Sequence, residues 1–387
     1  MRILLLSLTL LLSSCIESDK LQGFWAMELQ LQGKRIPFTL EFTDKDVKLF
    51  NATEVITLAT KIDKNKVTIS MQGFDASIEL DKSGPVMKGF WIKHNRTPEY
   101  KLPVLGMKLA ATLKENFKEE KLLPKKWKMK FEGNEDPALL VFTEEKNQLY
   151  ASIITQTGDY RFLTPRIKED NLVFYGFDGA YAFYIEGKLK PDYYSGVMYS
   201  GATSNTKFSA SPDENFSLKD PEQITKYKKD ITKLSLPVLS GSKYSIKENL
   251  GKVQVLQIFG SWCPNCIDET KFIKGWKSNN KDLGIQFALI AFERSPNKKH
   301  ALVQLKKAKK TYGIDYPIMI GGYTEEDKVS NVLSGLENFI SFPTTIYIDK
   351  KGKVRKVLAS FQGPATGRYF EDFSRNFDLF LKKLAAE

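Results

Sequence analysis

Apolar and polar residues alternate along most of the segment between residues 20 and 212. Residues 38–42 and 66–70, for example, carry an apolar side chain at every second position, which is typical of strands with one buried face. Turn-forming sequences such as Asp63-Lys64-Asn65 and Lys82-Ser83-Gly84-Pro85 separate these strands. Helical periodicity is nearly absent, so the pattern predicts an antiparallel β-rich region.

A repeat runs through this β-rich region. Three short sequences recur at offsets of 102, 100 and 103 residues: Trp25-Ala26-Met27 as Trp127-Lys128-Met129, Phe42-Thr43 as Phe142-Thr143, and Gly73-Phe74-Asp75 as Gly176-Phe177-Asp178. Because order and spacing are both kept, we predict two β-rich units, residues 20–108 (unit 1) and 120–212 (unit 2). Each is expected to be a small antiparallel sandwich or barrel, with a short helical connector at residues 109–123.

The pattern changes in the last third of the chain. Residues 213–235 are polar and charged, which predicts a linker, and from residue 236 apolar strands alternate with amphipathic helices. The expected strands are 253–259, 285–292, 316–320, 345–349 and 353–360, and the expected helices are 263–276, 297–312 and 366–384. This alternation predicts an α/β domain at residues 236–387. The fold class is therefore multidomain, with an α/β domain preceded by two antiparallel β-rich units.

The N-terminus predicts a secreted, lipid-anchored protein. Residues 3–12 are almost wholly apolar after Met1-Arg2, and this run is about half of the roughly 20 residues that a spanning helix needs. We therefore expect a signal peptide at residues 1–14. Leu12-Ser13-Ser14-Cys15 resembles a bacterial lipobox, which implies diacylglycerol on Cys15 and a tether at residues 15–19. An ordinary signal peptide with an unrelated cysteine is the alternative.

A lipidated Cys15 would hold the protein outside the cytoplasm, facing the periplasm, with its acyl chains in a bacterial membrane. Ile16 does not resemble an inner-membrane retention signal, so the outer membrane is favoured. The formal net charge of +12 lies partly in lysine doublets on the expected helix 297–312. They form either a solvated helix face or a surface attracted to an anionic membrane or an acidic partner. No nucleic-acid-binding motif is present, so no nucleic-acid partner is expected.

Cysteine usage points to redox chemistry. The chain has three cysteines, and once Cys15 is assigned to the lipid only Cys263 and Cys266 remain. A disulfide between them would close a very short loop and stabilise the fold little, so a redox-active dithiol is the better explanation. A metal site would need two further ligands, but the only histidines are His94 and His300, outside any paired motif. We therefore expect neither a metal nor another cofactor.

The segment Ser261-Trp262-Cys263-Pro264-Asn265-Cys266 resembles the active site of thioredoxin-like proteins. It is most similar to extracytoplasmic, lipoprotein-anchored disulfide reductases of the TlpA type. Collinear features extend this resemblance over residues 236–387: Leu236-Pro237-Val238-Leu239-Ser240-Gly241, Gly251-Lys252-Val253, Phe342-Pro343-Thr344-Thr345, Ile348-Asp349 and Gly352. The resemblance implies a thioredoxin fold and a thiol–disulfide oxidoreductase.

Each residue of this segment has an expected role. Cys263 at a helix N-terminus gains a stabilised thiolate and attacks the substrate disulfide, and the more buried Cys266 resolves the mixed disulfide. Pro264 suits the first helical turn. The resemblance implies that Pro343 is cis and faces the dithiol, and that Phe342 shapes substrate choice. The expected substrate-binding residues are Trp262, Pro264, Phe342, Pro343 and Thr344.

Glu269 is a further candidate for the catalytic machinery. It follows Cys266 by three residues, so helical spacing places it on nearly the same face. Resemblance to cytochrome-maturation reductases implies an acid that adjusts cysteine pKa values or relays protons; the alternative is a surface glutamate. Asp268 is expected to be solvated. Gln257 stands where many thioredoxins carry a buried acid. Glu293 is a less favoured substitute, and a surface ion pair would explain Glu293 equally well.

Two functions follow from the sequence. The leading one is a membrane-anchored oxidoreductase that reduces disulfides of extracytoplasmic proteins and is rereduced by an upstream thiol donor. The alternative is an envelope lipoprotein whose β-rich repeats bind a ligand or protein, with the dithiol domain as a redox-responsive accessory. The tryptophans of the repeat distinguish them: Trp25 and Trp127 would be exposed in a binding surface and buried in a scaffold.

Overall fold

The computed structural model describes residues 21–71, 73–94, 96, 100–110, 125–145, 148–295, 297–323 and 326–387. The expected signal peptide, Cys15 and the tether lie outside the described residues, as does the expected helical connector beyond residue 110. Among the residues described, no helix combines the length and the apolar character needed to cross a bilayer.

Unit 1 is a closed eight-stranded antiparallel barrel. Its strands follow one another in space in chain order, and β1 also pairs with β8, where Trp25 lies opposite Lys108. Alternate residues face the interior, so the side chain of Trp25 is fully buried. The strands are β1 (Gly23–Leu31), β2 (Lys34–Phe42), β3 (Val47–Asn51), β4 (Glu54–Asp63), β5 (Lys66–Ser70), β6 (Ala76–Ser83), β7 (Val86–Lys93) and β8 (Tyr100–Lys108).

Unit 2 is a nine-stranded antiparallel sheet. Its strands are β9 (Lys126–Phe131), β10 (Ala138–Glu145), β11 (Gln148–Thr155), β12 (Gly158–Asp159), β13 (Thr164–Lys168), β14 (Asn171–Phe177), β15 (Ala182–Lys190), β16 (Tyr193–Ser200) and β17 (Ser204–Pro212). Their order in space is β12-β11-β10-β9-β17-β16-β15-β14-β13. First and last strands pair here too, β9 with β17, and Trp127 on β9 is buried. Both tryptophans therefore belong to cores, as a scaffold requires.

The two units differ at their fourth strand. In unit 1, β4 pairs with β3 on one side and β5 on the other. In unit 2, the corresponding stretch is divided into β12, which pairs with β11, and β13, which pairs with β14. Between them, Leu163 forms an isolated bridge with Ala151, and the Tyr160 N–H donates to the Ile153 carbonyl at 3.0 Å. The chain departs from extended geometry here, with φ of +145° at Gly158 and +56° at Arg161.

Unit 2 packs against the core of unit 1. Phe177, at the end of β14, lies 4.8 Å from Phe38 and 5.2 Å from Trp91 between ring centroids. The Trp91 indole N–H donates a hydrogen bond to the Gly179 carbonyl at 3.1 Å. Phe177 is 2% exposed and belongs to the apolar cluster of the barrel. The two β-rich units are therefore joined through a shared core.

The C-terminal domain is an α/β sheet of five strands, as expected. Their order is β23-β22-β21-β25-β26. Strands β21, β22 and β23 are parallel to one another, β25 is antiparallel to β21, and β26 is antiparallel to β25. The strands of this domain are β18 (Lys226–Tyr227), β19 (Ser235–Pro237), β20 (Lys243–Ser245), β21 (Gln254–Phe259), β22 (Gln286–Glu293), β23 (Ile318–Tyr323), β24 (Leu336–Glu337), β25 (Thr344–Ile348) and β26 (Val354–Ala359); the helices are α1 (Pro264–Asn279), α2 (Lys298–Tyr312), α3 (Glu326–Val332) and α4 (Arg368–Ala386).

Both faces of this sheet are covered. Every residue of β21 is buried; Val255 and Phe259 pack with α1, α2 and α4, whereas Leu256 and Ile258 pack with residues of α3. The expected linker at residues 213–235 is not a separate polar spacer. Its β18 pairs with β24, and Ile231 is 1% exposed in the second of these clusters, because the edge of the domain has an apolar surface that these residues cover.

Candidate active site

The two cysteines lie where the central strand of the C-terminal sheet leads into a helix. β21 ends at Phe259, and α1 begins at Pro264 with Cys263 as its N-cap. The Cys266 N–H donates a hydrogen bond of 3.2 Å to the Cys263 sulfur. Both thiols are free, with Cys263 4% exposed and Cys266 fully buried. The Cys263 sulfur therefore lies at the N-terminus of α1, beside backbone N–H groups that carry partial positive charge.

Cys266 is held in a polar but solvent-free setting. Burial, followed by the hydrogen bond with Cys263, raises the pKa of the Cys266 thiol well above its usual range. Its backbone carbonyl accepts hydrogen bonds from the Gln257 side-chain amide at 3.0 Å and the Thr270 hydroxyl at 2.8 Å. Gln257, which occupies the position of the buried acid of many thioredoxins, therefore fixes the helix backbone here. Cys266 keeps its proton unless a base removes it.

Phe342 and Pro343 lie beside the dithiol. The Phe342–Pro343 peptide bond is cis, as the resemblance implies, and the Cys263 thiol donates to the Phe342 carbonyl at 3.5 Å. The Phe342 ring meets the Trp262 ring edge to face at 5.2 Å. The Thr344 side chain is fully buried and donates to the Ser341 carbonyl at 2.8 Å. Any contact of Thr344 with a substrate would therefore involve its backbone.

Glu269 is buried inside the domain, with 1% of its surface exposed, so the alternative of a surface glutamate is wrong. Its Oε1 accepts a hydrogen bond of 2.7 Å from the Thr345 hydroxyl of β25. Burial raises the pKa of this carboxyl to about 7, although the bond from Thr345 opposes the rise. The negative charge of Glu269 in turn contributes to the raised pKa of Cys266. A carboxyl that titrates near neutrality therefore lies in the environment of Cys266.

The expectation for Asp268 is wrong, and so is the surface alternative for Glu293. Asp268 is not solvated: it is 7% exposed and accepts two hydrogen bonds from the Arg161 guanidinium, at 2.8 and 3.1 Å. Glu293 is not in a surface ion pair: it is 4% exposed and accepts hydrogen bonds from the Ser261 amide at 2.9 Å and hydroxyl at 2.7 Å. Burial raises the pKa of Glu293 to about 7. Both acids are contacted by residues distant in sequence, Asp268 by Arg161 and Glu293 by Ser261.

Arg161 of unit 2 is a member of the site that sequence reasoning missed. Its guanidinium donates to Glu54 of unit 1 at 2.6 Å, to Asp178 of unit 2 at 2.6 Å, and to Asp268 of α1. Burial opposes the charge, but Asp268, Glu54 and Asp178 outweigh it and raise the pKa of Arg161. We call these four residues the Arg161 cluster. In the sequence, Asp178 is distinguished only as part of the repeat, and no local motif distinguishes Arg161.

Asp159 provides a second link between unit 2 and the dithiol. One carboxylate oxygen accepts from the side-chain amide of Asn265, between the two cysteines, at 3.0 Å, and from the Gly363 N–H at 2.8 Å. The other oxygen accepts from the Arg161 N–H at 2.7 Å. Burial raises the pKa of Asp159 to about 6. The interrupted strand of unit 2 thus contacts the first turn of α1 directly.

No grouping of three or more potential metal-ligating side chains occurs among the residues that the structure describes. The site brings together two thiols, a neighbouring buried carboxyl and a cis-proline loop. A five-stranded sheet with a Cys-X-X-Cys segment at the start of the helix after its central strand defines the thioredoxin-like class of oxidoreductases. The C-terminal domain is a thioredoxin-like oxidoreductase.

Comparison with known proteins agrees with this class. Residues 225–368 match the family model described as Redoxin. The chain is 28% identical over 123 residues to the thioredoxin-like protein YneN of Bacillus subtilis (strain 168), covering 32% of this chain and 65% of that protein. It is 25% identical over 135 residues to the thiol-disulfide oxidoreductase ResA of Bacillus thuringiensis subsp. konkukian (strain 97-27), covering 35% of this chain and 69% of that protein.

The chain thus spans about two thirds of the length of these relatives. Among solved structures, a secreted thiol-disulfide isomerase from Corynebacterium glutamicum is 17% identical, with a TM-score of 0.32, and covers 45% of this chain and 99% of that chain. The Redoxin match begins at residue 225, so both β-rich units lie outside it.

Replacing Arg161 with methionine should destabilise the protein strongly. Arg161→Met leaves the carboxyls of Glu54, Asp178 and Asp268 buried without their cation, and removing one partner of a buried ion pair costs about 3–5 kcal/mol. Urea unfolding followed by tryptophan fluorescence measures the change. Burial already raises the pKa of the Glu54 carboxyl, and the Arg161 charge opposes this rise. Without Arg161 the folded-state pKa of Glu54 rises further above its unfolded value, so the loss of stability should shrink as the pH falls toward about 4.

Arg35→Met is the matched control, because the Arg35 side chain is 75% exposed and its ion pair with Glu28 measures 3.7 Å. This variant should unfold at nearly the urea concentration of the wild type. Equal stability of the two variants would contradict a structural role for the Arg161 cluster.

Proposed function

We propose that this chain is a thiol–disulfide oxidoreductase that reduces disulfides of extracytoplasmic proteins while anchored to a bacterial membrane through lipidated Cys15. The observation that carries the proposal is the free Cys263–Cys266 pair at the start of α1, beside the cis peptide before Pro343. Relatives that bear the name thiol-disulfide oxidoreductase support the reaction type. The orientation toward the periplasm, with the outer membrane favoured, is supported by the sequence of residues 1–16.

The proposed reaction has two steps. The Cys263 thiolate attacks one sulfur of the substrate disulfide, so that the substrate S–S bond breaks, one substrate thiolate leaves and a mixed disulfide forms. Cys266 then loses its proton and attacks the Cys263 sulfur, which releases the second substrate thiolate and leaves a Cys263–Cys266 disulfide. Two electrons pass to the substrate, whose two sulfurs each take up a proton. An upstream thiol donor returns the disulfide to the dithiol.

Glu269 is the proposed base for the second step. Burial raises the pKa of the Cys266 thiol, so the proton must be removed before the sulfur can attack. Glu269 is buried in the same region and its own pKa is about 7, which suits a group that accepts a proton near neutral pH. Gln257, which cannot titrate, leaves this role to Glu269.

Trp262, Pro264, Phe342, Pro343 and Thr344 are the proposed substrate platform. The Trp262 indole N–H donates to the Phe292 carbonyl at 3.0 Å, which fixes the ring beside Phe342. The binding-lipoprotein alternative receives less support, because Trp25 is 0% and Trp127 1% exposed, and buried rings cannot serve as a binding surface.

Substituting each cysteine tests the reaction. Cys263→Ser should reduce the turnover of a linear-peptide disulfide to the uncatalysed rate, because the attacking thiolate is absent. Cys266→Ser should release one thiol per protein and then stop as a mixed disulfide, detectable as a mass increase equal to one peptide. Turnover by Cys263→Ser equal to that of the wild type would rule out the proposed function.

Removing the proposed base should change the pH profile. In the wild type, resolution of the mixed disulfide should rise with pH through about 7, since only ionised Glu269 accepts the Cys266 proton. Glu269→Gln should slow resolution about 100-fold at pH 7.5 and remove this limb of the profile. Stopped-flow measurement of the second thiol release gives the rate.

Glu293→Gln is the matched control, since Glu293 is also buried with a pKa of about 7 but is bonded to Ser261. It should keep the limb near pH 7. A profile that loses the limb in Glu293→Gln and keeps it in Glu269→Gln would assign the proton transfer to the other acid.

Changing Cys15 tests the anchor. Cys15→Ala should move the protein from the membrane fraction to the soluble fraction of the cell envelope and abolish incorporation of a labelled fatty acid, because the thiol that carries the lipid is gone. Cys263→Ser should leave both unchanged. Unaltered membrane association of Cys15→Ala would contradict lipid anchoring.

A further inference from the structure

The attacking cysteine lies beneath unit 2. Cys263 is 4% exposed, although its sulfur must meet a substrate. A cleft of about 240 Å³ leads to it, lined on one side by Trp262, Cys263 and Phe342 and on the other by Asp159, Tyr181 and Phe183 of unit 2. A disulfide that reaches Cys263 through this cleft enters between the two domains.

Aromatic rings form both sides of this cleft. On unit 2, Tyr181 and Phe183 are stacked, with centroids 5.8 Å apart and an interplanar angle of 17°. On the thioredoxin-like domain, Trp262 and Phe342 are 5.2 Å apart. The Arg294 guanidinium lies 3.7 Å from the Trp262 centroid, and the Lys93 amine 4.8 Å from that of Tyr181. These cation–π contacts hold each side in place.

The connection between unit 2 and the dithiol helix is strong. Asp159 bonds to Asn265 and to the Gly363 N–H, and Arg161 makes two bonds to Asp268. Separating the domains would leave these charged groups without their partners, which is costly for groups that are buried. The wall formed by unit 2 is therefore a fixed part of the cleft.

The size of the cleft limits what can enter. Pockets that enclose a whole drug-sized ligand measure roughly 300–1,000 Å³, and the cleft, at about 240 Å³, lies below that range. A disulfide on a folded protein is surrounded by that protein's surface, which would collide with unit 2. A disulfide on a narrow, flexible chain has no such surroundings.

We propose, on the basis of the proposed function, that unit 2 is the outer wall of the substrate cleft and restricts the enzyme to disulfides on narrow, flexible chains. Linear peptides and small-molecule disulfides share this chemistry. Tyr181 is the specificity-determining residue of the wall, because its ring faces the cleft beside the attacking thiol and is supported by Phe183 and Lys93.

Matched disulfides test the restriction with the full-length protein. One substrate is a five-residue peptide joined by a disulfide to a second copy of itself, and the other is the same peptide joined to a surface cysteine of a folded carrier protein. The wild type should show kcat/KM about tenfold or more higher for the peptide dimer. Cystine is the third substrate, and it separates small molecules from peptides. Equal kcat/KM for dimer and carrier would overturn the proposal.

Two substitutions should change substrate preference, one by widening the cleft and the other by narrowing it. Tyr181→Ala widens the cleft, so kcat/KM for the carrier substrate should rise several-fold and the preference should fall. Thr157→Trp adds a large ring at an exposed position of the cleft rim, so kcat/KM should fall more for the peptide dimer than for cystine. Ser242→Trp, at an exposed turn outside the cleft, should change none of these values.

The outcomes separate the proposal from the function on which it rests. If the wild type reduces none of the three substrates, the proposed function fails. If it reduces all three at similar rates and Tyr181→Ala and Thr157→Trp behave as Ser242→Trp does, the oxidoreductase function stands and the role of unit 2 is wrong. Circular dichroism of each variant establishes that it is folded before its kinetics are compared.

Discussion

Arg161 is the residue through which the three structural parts of the molecule meet. A guanidinium offers several N–H donors in one plane, and here they reach carboxylates of unit 1, unit 2 and the dithiol helix. Because the cluster is almost closed to solvent, removing any one of its charges would leave the others buried without a partner and would destabilise the fold. The interruption between β12 and β13 is what makes this geometry possible. It removes Arg161 from the regular strand pairing that the corresponding strand of unit 1 maintains throughout.

The same interruption shapes the chemistry of the dithiol. On the side of α1 that faces unit 2, Asp159 accepts a hydrogen bond from Asn265 and Arg161 donates to Asp268. On the side that faces the sheet, Gln257 and Thr270 donate to the Cys266 carbonyl. The first turn of the helix is thus fixed from both directions. A fixed turn keeps the Cys266 N–H aligned with the Cys263 sulfur, and alignment of this kind is what makes a helix N-terminus effective in stabilising a thiolate.

Local periodicity and spacing were enough to predict the alternating strands, the α/β order of the last domain and the place of Cys263 at a helix start. They failed where contacts between residues distant in sequence determine which side chains are buried. Asp268 has the sequence context of a surface residue in its own helix, but it is buried against Arg161, which lies 107 positions away in the sequence. Glu293 is covered in the same way by Ser261. The segment 213–235 was predicted as a linker because it is polar and charged, but Tyr227, Ile231 and Leu234 within it cover an apolar edge of the domain.

The repeated Gly-Phe-Asp sequences have diverged in what they contact. In unit 1, Asp75 accepts from His300 at 2.9 Å and the Phe74 carbonyl accepts from Lys307 at 3.0 Å, so this copy holds α2. In unit 2, Asp178 belongs to the Arg161 cluster, and Phe177 packs into the core of unit 1. None of the described residues of unit 1 lines the cleft above Cys263. Unit 1 instead holds unit 2 in place, because its core receives Phe177 and its Glu54 binds Arg161, and it also contacts α2. These contacts support unit 2 on the side away from Cys263, so that its distance from the thiol stays fixed.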